Sequence, residues 1–214
     1  MTETSAAGEK GSLAYRKNKD AILHGDIPAK YTRLLDVIPG DRILEMGAAE
    51  GVLSLLLAER KAKVYAVERN RERHEEALRL KELWLAQGRD VSRCEIILGD
   101  LRDHYELLSQ VDTLVAVRAI YYLRDQAEAV FAEVGKHVSH VVLCGNQNRA
   151  ARYFETNGRV GEGIDKLGPF NFYASAEGMR KVLEDNGYKI DSVVSEGDPI
   201  VVGVKDSIRV RPSE

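Results

Sequence analysis

The chain has 214 residues, 44% hydrophobic and 30% charged, with 31 basic against 34 acidic side chains and a formal net charge of −3. That length suits one α/β domain with a sizeable core. The near-even charge balance argues against a non-specific grip on DNA or RNA, and no apolar run approaches the roughly 20 residues that span a bilayer.

Residues 1–10 are small, polar and partly acidic, without the apolar stretch of a secretory signal, so a frayed tail and a cytoplasmic location are expected. A helix is predicted over 28–38, with Pro28 in its first turn and Pro39-Gly40 as punctuation. From there short apolar runs alternate with longer amphipathic ones, the rhythm of parallel strands joined by helices. The first strand covers 42–46 and ends at Gly47. A helix over 51–60 follows, then a strand over 63–67 closed by Glu68. A long helix spans 71–87, with Gly88 as its stop. The third strand covers 94–98 and runs into Gly99-Asp100. A short helical stretch over 104–109, a strand over 112–117, a helix over 124–137 and a strand over 140–144 complete the alternation.

Residues 146–171 break this rhythm. They are rich in Gly, Asn and Arg and read as a long, partly helical insertion, a kind of segment that is more often functional than decorative. A helix over 175–186 comes next, stopped by Gly187. Strands over 189–194 and 200–205 flank a short turn-rich linker and should form an antiparallel hairpin at a sheet edge. The expected fold is α/β and Rossmann-like: a seven-stranded sheet with helices on both faces, five strands parallel, plus a C-terminal antiparallel hairpin. One domain over 28–206 is expected, between a segment 1–27 and a tail 207–214. Cys94 and Cys144 sit in apolar segments without metal-ligand spacing and read as buried free thiols. The run from Arg71 to Glu76, with His74 inside it, reads as a solvated charged face, and no metal site is expected.

The segment Glu45-Met46-Gly47-Ala48-Ala49-Glu50-Gly51 carries the strongest signal. A strand enters a turn of tiny residues and leaves as a helix, so a ligand can lie against the backbone. Glu68 ends the next strand about 20 residues on, where an acid in such folds accepts hydrogen bonds from ribose hydroxyls. Asp100 ends the third strand, placed to accept from an adenine amino group. All three acids lie at carboxyl ends of parallel strands, the rim where open sheets bind ligands.

These residues, with the apolar fourth strand and the terminal hairpin, resemble the motifs of class I S-adenosylmethionine-dependent methyltransferases over about 28–205. Ala49 stands where that family usually has a second glycine. The resemblance implies S-adenosylmethionine as cofactor and S-adenosylhomocysteine as product. It would place Glu45 near the methionine amino group and Gly47, Ala48 and Ala49 beneath the cofactor. Glu68 would hold the ribose, Arg69 and Asn70 would flank the adenine, and Asp100 and Leu101 would contact it. Val117 and Arg118 would close the site behind the sulfonium. The segment before the first helix would fold over as a lid, with Tyr15 and Lys19 at the methionine end.

Methyl transfer is mainly a matter of positioning two reactants, and a base helps only when the acceptor must lose a proton. Arg118, Tyr121, Tyr122 and Asn146 are the expected acceptor-side residues. Arg149, Arg152, Arg159 and Lys166 of the 146–171 insertion would grip an anionic or carbohydrate-like small molecule. His24 and His140 are weaker candidates for a base. Two other readings stay open: a non-catalytic cofactor- or partner-binding domain, and a nicotinamide-dependent oxidoreductase. The oxidoreductase would need a Tyr-x-x-x-Lys pair after the fourth strand, but Gln126 stands four residues after Tyr122. Methylation of RNA bases is disfavoured, because Val117-Arg118-Ala119-Ile120 stands where an Asn-Pro-Pro-Tyr-type motif would be. No membrane or nucleic-acid partner is expected, and oligomeric state leaves no mark in the sequence.

Overall fold

A computed structural model describes residues 13–160 and 167–205. Seven strands form one sheet: β1 (Arg42–Met46), β2 (Lys63–Glu68), β3 (Cys94–Leu98), β4 (Thr113–Val117), β5 (His140–Cys144), β6 (Lys189–Val194) and β7 (Ile200–Val204), in the order β3-β2-β1-β4-β5-β7-β6. The first five are mutually parallel. β7 pairs antiparallel with both β5 and β6, so the hairpin is where the sequence placed it. β6 is one edge: mostly exposed, with Lys189, Asp191 and Ser192 among its six residues and a register shift between Ile190 and Ser192. Those features blunt an edge against pairing with another chain.

Successive side chains of a strand point to opposite faces, and each face has its own apolar layer. Leu44, Leu114, Ala116, Val141 and Leu143 pack with α5 (Ala127–His137) and α7 (Ala176–Asp185) through Phe131, Val134, Met179 and Leu183. Ile43, Val115 and Val142 pack on the other side, against four helices: α1 (Leu13–Leu23), α2 (Ala29–Leu35), α3 (Val52–Ala58) and α4 (Arg71–Ala86). Glu45 shares the face of Ile43, a carboxylate set among the α2 and α3 contacts.

Three elements depart from expectation. The segment before residue 28 contains α1, whose Tyr15 and Ile22 are 1% and 0% exposed, so this stretch is part of the packed domain. Helix α5 begins at Ala127, because Arg124 has non-helical backbone angles and residues 120–126 form a 3₁₀ turn. The 146–171 insertion contains a further helix, α6 (Gln147–Thr156). It is capped by the Asn146 side chain and stopped at the left-handed Asn157, and a second 3₁₀ segment spans Gly168–Ala174. The expected tails over 1–10 and 207–214, and Lys166, lie outside the described residues. Among those residues no helix is long and apolar enough to cross a membrane.

Candidate functional site

Strand order reverses between β1 and β4, and in open α/β sheets the crevice beyond the carboxyl ends at such a switch point is where ligands bind. A cavity of about 840 Å³ lies there, within the range of small-molecule sites. Gly47 forms part of its wall with φ +73, and a Cβ on it would meet Ala119 Cβ at 2.8 Å. Both facts demand glycine. Ala49 has φ +51 in the same turn, a left-handed position that a Cβ-bearing residue holds at a cost of roughly 1–2 kcal/mol. Its N–H donates to Glu68 Oε2 at 2.8 Å, which helps to hold that conformation.

The three acids meet on this cavity. Glu45 is 3% exposed. Burial raises its carboxyl to about 7, against the hydrogen bond it accepts from Ser54. Glu68 is buried and accepts from the N–H groups of Ala49 and Asn70 (2.7 Å), one on each oxygen. Each oxygen keeps a lone pair for a ligand hydroxyl. Asp100 is clamped by Arg102: Oδ1 accepts from its backbone N–H and Nε, and Oδ2 from Nη2 at 2.8 Å. The Arg102 bonds hold Asp100 below the usual carboxylate range despite partial burial. Oδ2 keeps capacity for one more donor.

Gly47, Ala48, Ala49, Arg69, Asn70, Leu101, Val117, Arg118, Tyr121, Tyr122 and Asn146 also line the cavity. Tyr15 and Lys19 do not. The Tyr15 hydroxyl donates to Glu76 Oε1 at 3.1 Å and Lys19 pairs with the same oxygen at 2.8 Å, which docks α1 on α4 instead. The cover comes from one helix later, where α2 contributes Ala29, Tyr31, Arg33 and Leu34 to the cavity wall. Burial and the nearby Glu45 and Glu50 carboxylates push the Tyr31 phenol well above its ordinary range. His24 is exposed and bound to Asp20 O, and His140 begins β5 at the far end from the rim.

On the opposite side of the cavity, Arg118 has φ +52 and pairs with Asp198, Nε to Oδ2 at 2.7 Å. Asp198 Oδ1 also accepts the N–H of Gln147 at 3.0 Å, so one carboxylate ties the β6–β7 turn to the ends of β4 and β5. Asn146 Oδ1 caps α6 at the N–H of Arg149. Burial, with Tyr122 adding, lifts the Tyr121 phenol to about 12, too high for a base at neutral pH. Tyr31, Arg33 and Asp198 escaped the sequence reading. The aromatic and basic residues of α2 and the acid in the hairpin turn were their only local signals.

No protein-family model matches the chain, and no curated protein matches it in sequence. Solved structures do match. Magnesium protoporphyrin IX methyltransferase from Synechocystis PCC 6803, with bound SAM, is similar at TM-score 0.56 and 18% identity, over 92% of this chain and 87% of that one. A SAM-dependent methyltransferase from Aquifex aeolicus is similar at TM-score 0.57 and 16% identity, over 86% and 96%. The N-terminal domain of EvdMO1, with SAH bound, gives TM-score 0.56 and 17% identity, over 83% and 80%.

The fold is that of the class I S-adenosylmethionine-dependent methyltransferases. In this methyltransferase fold the antiparallel β7 sits between β5 and β6, and its preceding turn brings Gly197 and Asp198 to the cavity. The strand that completes the sheet therefore also delivers a side chain to the site.

Proposed function

We propose that the chain binds S-adenosylmethionine in this cavity and transfers its methyl group to a small-molecule acceptor. The observation that carries the reading is the convergence of Glu45, Glu68 and Asp100 on one cavity beside the Gly47–Ala49 turn. The cavity residues fit the cofactor. Glu45, a buried carboxylate that borders the cavity and accepts from Ser54, suits a cationic amino group. The open lone pairs of Glu68 suit ribose hydroxyls, and that of Asp100 Oδ2 suits an adenine amino group beside Leu101. Bound there, S-adenosylmethionine would supply an activated methyl group, with S-adenosylhomocysteine as product.

The chain's own work is positional. Arg69 and Asn70 flank the adenine end, Val117 and Arg118 close the β4 end, and Tyr31 covers the turn from α2. Tyr121, Tyr122 and Asn146 form the acceptor wall. The similar structures include a magnesium protoporphyrin IX methyltransferase and a domain of EvdMO1, so the fold by itself does not choose an acceptor.

Calorimetry with S-adenosylmethionine, S-adenosylhomocysteine and NAD tests the reading, followed by transfer of a radiolabelled methyl group into a metabolite extract. Binding of the first two and labelling of a small molecule is expected. Binding of NAD alone would sink the proposal in favour of an oxidoreductase. Cofactor binding without any labelling would favour the non-catalytic alternative.

A further inference from the structure

The acids of the cavity gather on one side, with Arg69 and Arg73 beside them, Arg73 facing Glu50 at 4.0 Å. Glu45, Glu50, Glu68 and Asp100 come from the ends of β1, β2 and β3 and the turn after β1. Arg33, Arg118 and Arg149 come from α2, the end of β4 and α6, and line the other side. Asp198 is the acid there, and it is already committed to Arg118 and the Gln147 N–H. Arg33 lies against the same turn, its Nη1 3.5 Å from where a Cβ on Gly197 would sit, and it makes no hydrogen bond or ion pair among the described residues. Arg33, Arg118 and Arg149 against Asp198 leave this side net positive, which suits an anion.

The same side carries an aromatic pair, Tyr121 buried at 2% exposure and Tyr122 tilted 50° from it with its ring open to the cavity. The rings of Tyr121 and Tyr122 lie 4.7 Å apart between centroids. The guanidinium of Arg149 sits 5.0 Å from the first centroid and 5.7 Å from the second. Arg149 is held from behind by Asn171 Oδ1 at 3.3 Å. Tyr122 is 45% exposed, a large ring left open beside a cavity. Aromatic faces and guanidinium planes stack on flat ligands, and guanidinium pairs carboxylate in a planar fork. A neutral sugar is served less well, since Asn146 spends its carbonyl oxygen on capping α6.

We propose that the acceptor is a planar aromatic molecule bearing a carboxylate, seated on the open ring of Tyr122, which the buried Tyr121 backs, with its anion toward Arg33, Arg118 and Arg149. This rests on the methyltransferase reading, and the cofactor's own carboxylate is the other source of an anion at this rim.

The test titrates 1-naphthoate, 1-naphthamide and acetate into the full chain saturated with S-adenosylhomocysteine. Naphthoate is expected to bind at least about ten-fold more tightly than either comparator, because it alone joins a ring to an anion. In Arg33→Gln and in Tyr122→Ser, both altered at exposed positions, naphthoate affinity should fall about ten-fold while S-adenosylhomocysteine affinity holds. Equal binding of naphthoate and naphthamide overturns the proposal. So does an Arg33→Gln variant that loses S-adenosylhomocysteine but keeps naphthoate, which would assign the charge to the cofactor. Displacement of S-adenosylhomocysteine by naphthoate would likewise overturn it. Failure of the wild-type chain to bind S-adenosylhomocysteine at all would instead refute the underlying methyltransferase reading.

Discussion

Ala49 holds a left-handed backbone at φ +51 without being glycine, and its N–H is one of the two that Glu68 binds. Replacing it by glycine removes the Cβ conflict and leaves that hydrogen bond in place. Ala49→Gly should therefore stabilise the chain by about 1 kcal/mol in urea denaturation, the relief of strain outweighing the added freedom of the unfolded chain. Glu45 makes a second residue-scale case. Burial raises its carboxyl from 4.5 to about 7, so the folded chain holds this proton more tightly than the unfolded one. Stability from this group is full below about pH 4.5, falls as pH rises toward 7, and is level above that. Glu45→Gln cannot ionise. Relative to wild type, it should gain on the order of 3 kcal/mol between about pH 4 and about pH 8, read by denaturation at both. A cation bound beside Glu45 would reverse the burial penalty, which is why the same residue suits a positively charged ligand group.

Among the elements, α1 separates a structural role from a binding one. Its Tyr15 and Lys19 converge on Glu76 of α4. Burial disfavours the charged Glu76, but Lys19, Tyr15 and Arg79 outweigh it and hold the carboxyl below its ordinary range. Tyr15→Phe removes one buried hydrogen bond to a charged group and should cost about 1–2 kcal/mol of stability. Its affinity for S-adenosylmethionine, measured by calorimetry, should stay within about two-fold of wild type. A larger drop in affinity would return α1 to the lid role. The sequence pointed to this segment because a covering element belongs before β1. It could not tell α1 from α2, because the choice depends on which apolar side chains find a partner layer. Tyr15 and Ile22 find theirs in the core, while Tyr31 and Arg33 are left at the cavity.

Across the whole molecule, the two apolar layers that clamp the sheet are tied together at the rim through the cavity. Helices α2 and α3, the β6–β7 turn and α6 all border it. A ligand filling it should stabilise the entire domain. At roughly a hundred times its Kd, S-adenosylmethionine or S-adenosylhomocysteine should add about 2.7 kcal/mol. For a chain of this size that raises the melting temperature by about 5–10 °C, while NAD leaves it unchanged. A thermal melt with the three ligands checks this directly.

The sequence by itself determined the strand and helix alternation, the edge hairpin, the Gly47 turn and the three strand-end acids. Each is a local pattern: a period, a run of tiny residues, or an acid at a strand's last position. Only the tertiary structure decided which helix covers the cavity, that Asn146 is spent on capping α6, and that Asp198 bonds Arg118 across a sequence separation of 80 residues. Such contacts follow from how the layers pack and which ends of the sheet they share. Chain spacing carries no record of that, so the side of the cavity built by the ends of β1, β2 and β3 could be read in advance and the side built by α2, α6 and the hairpin turn could not.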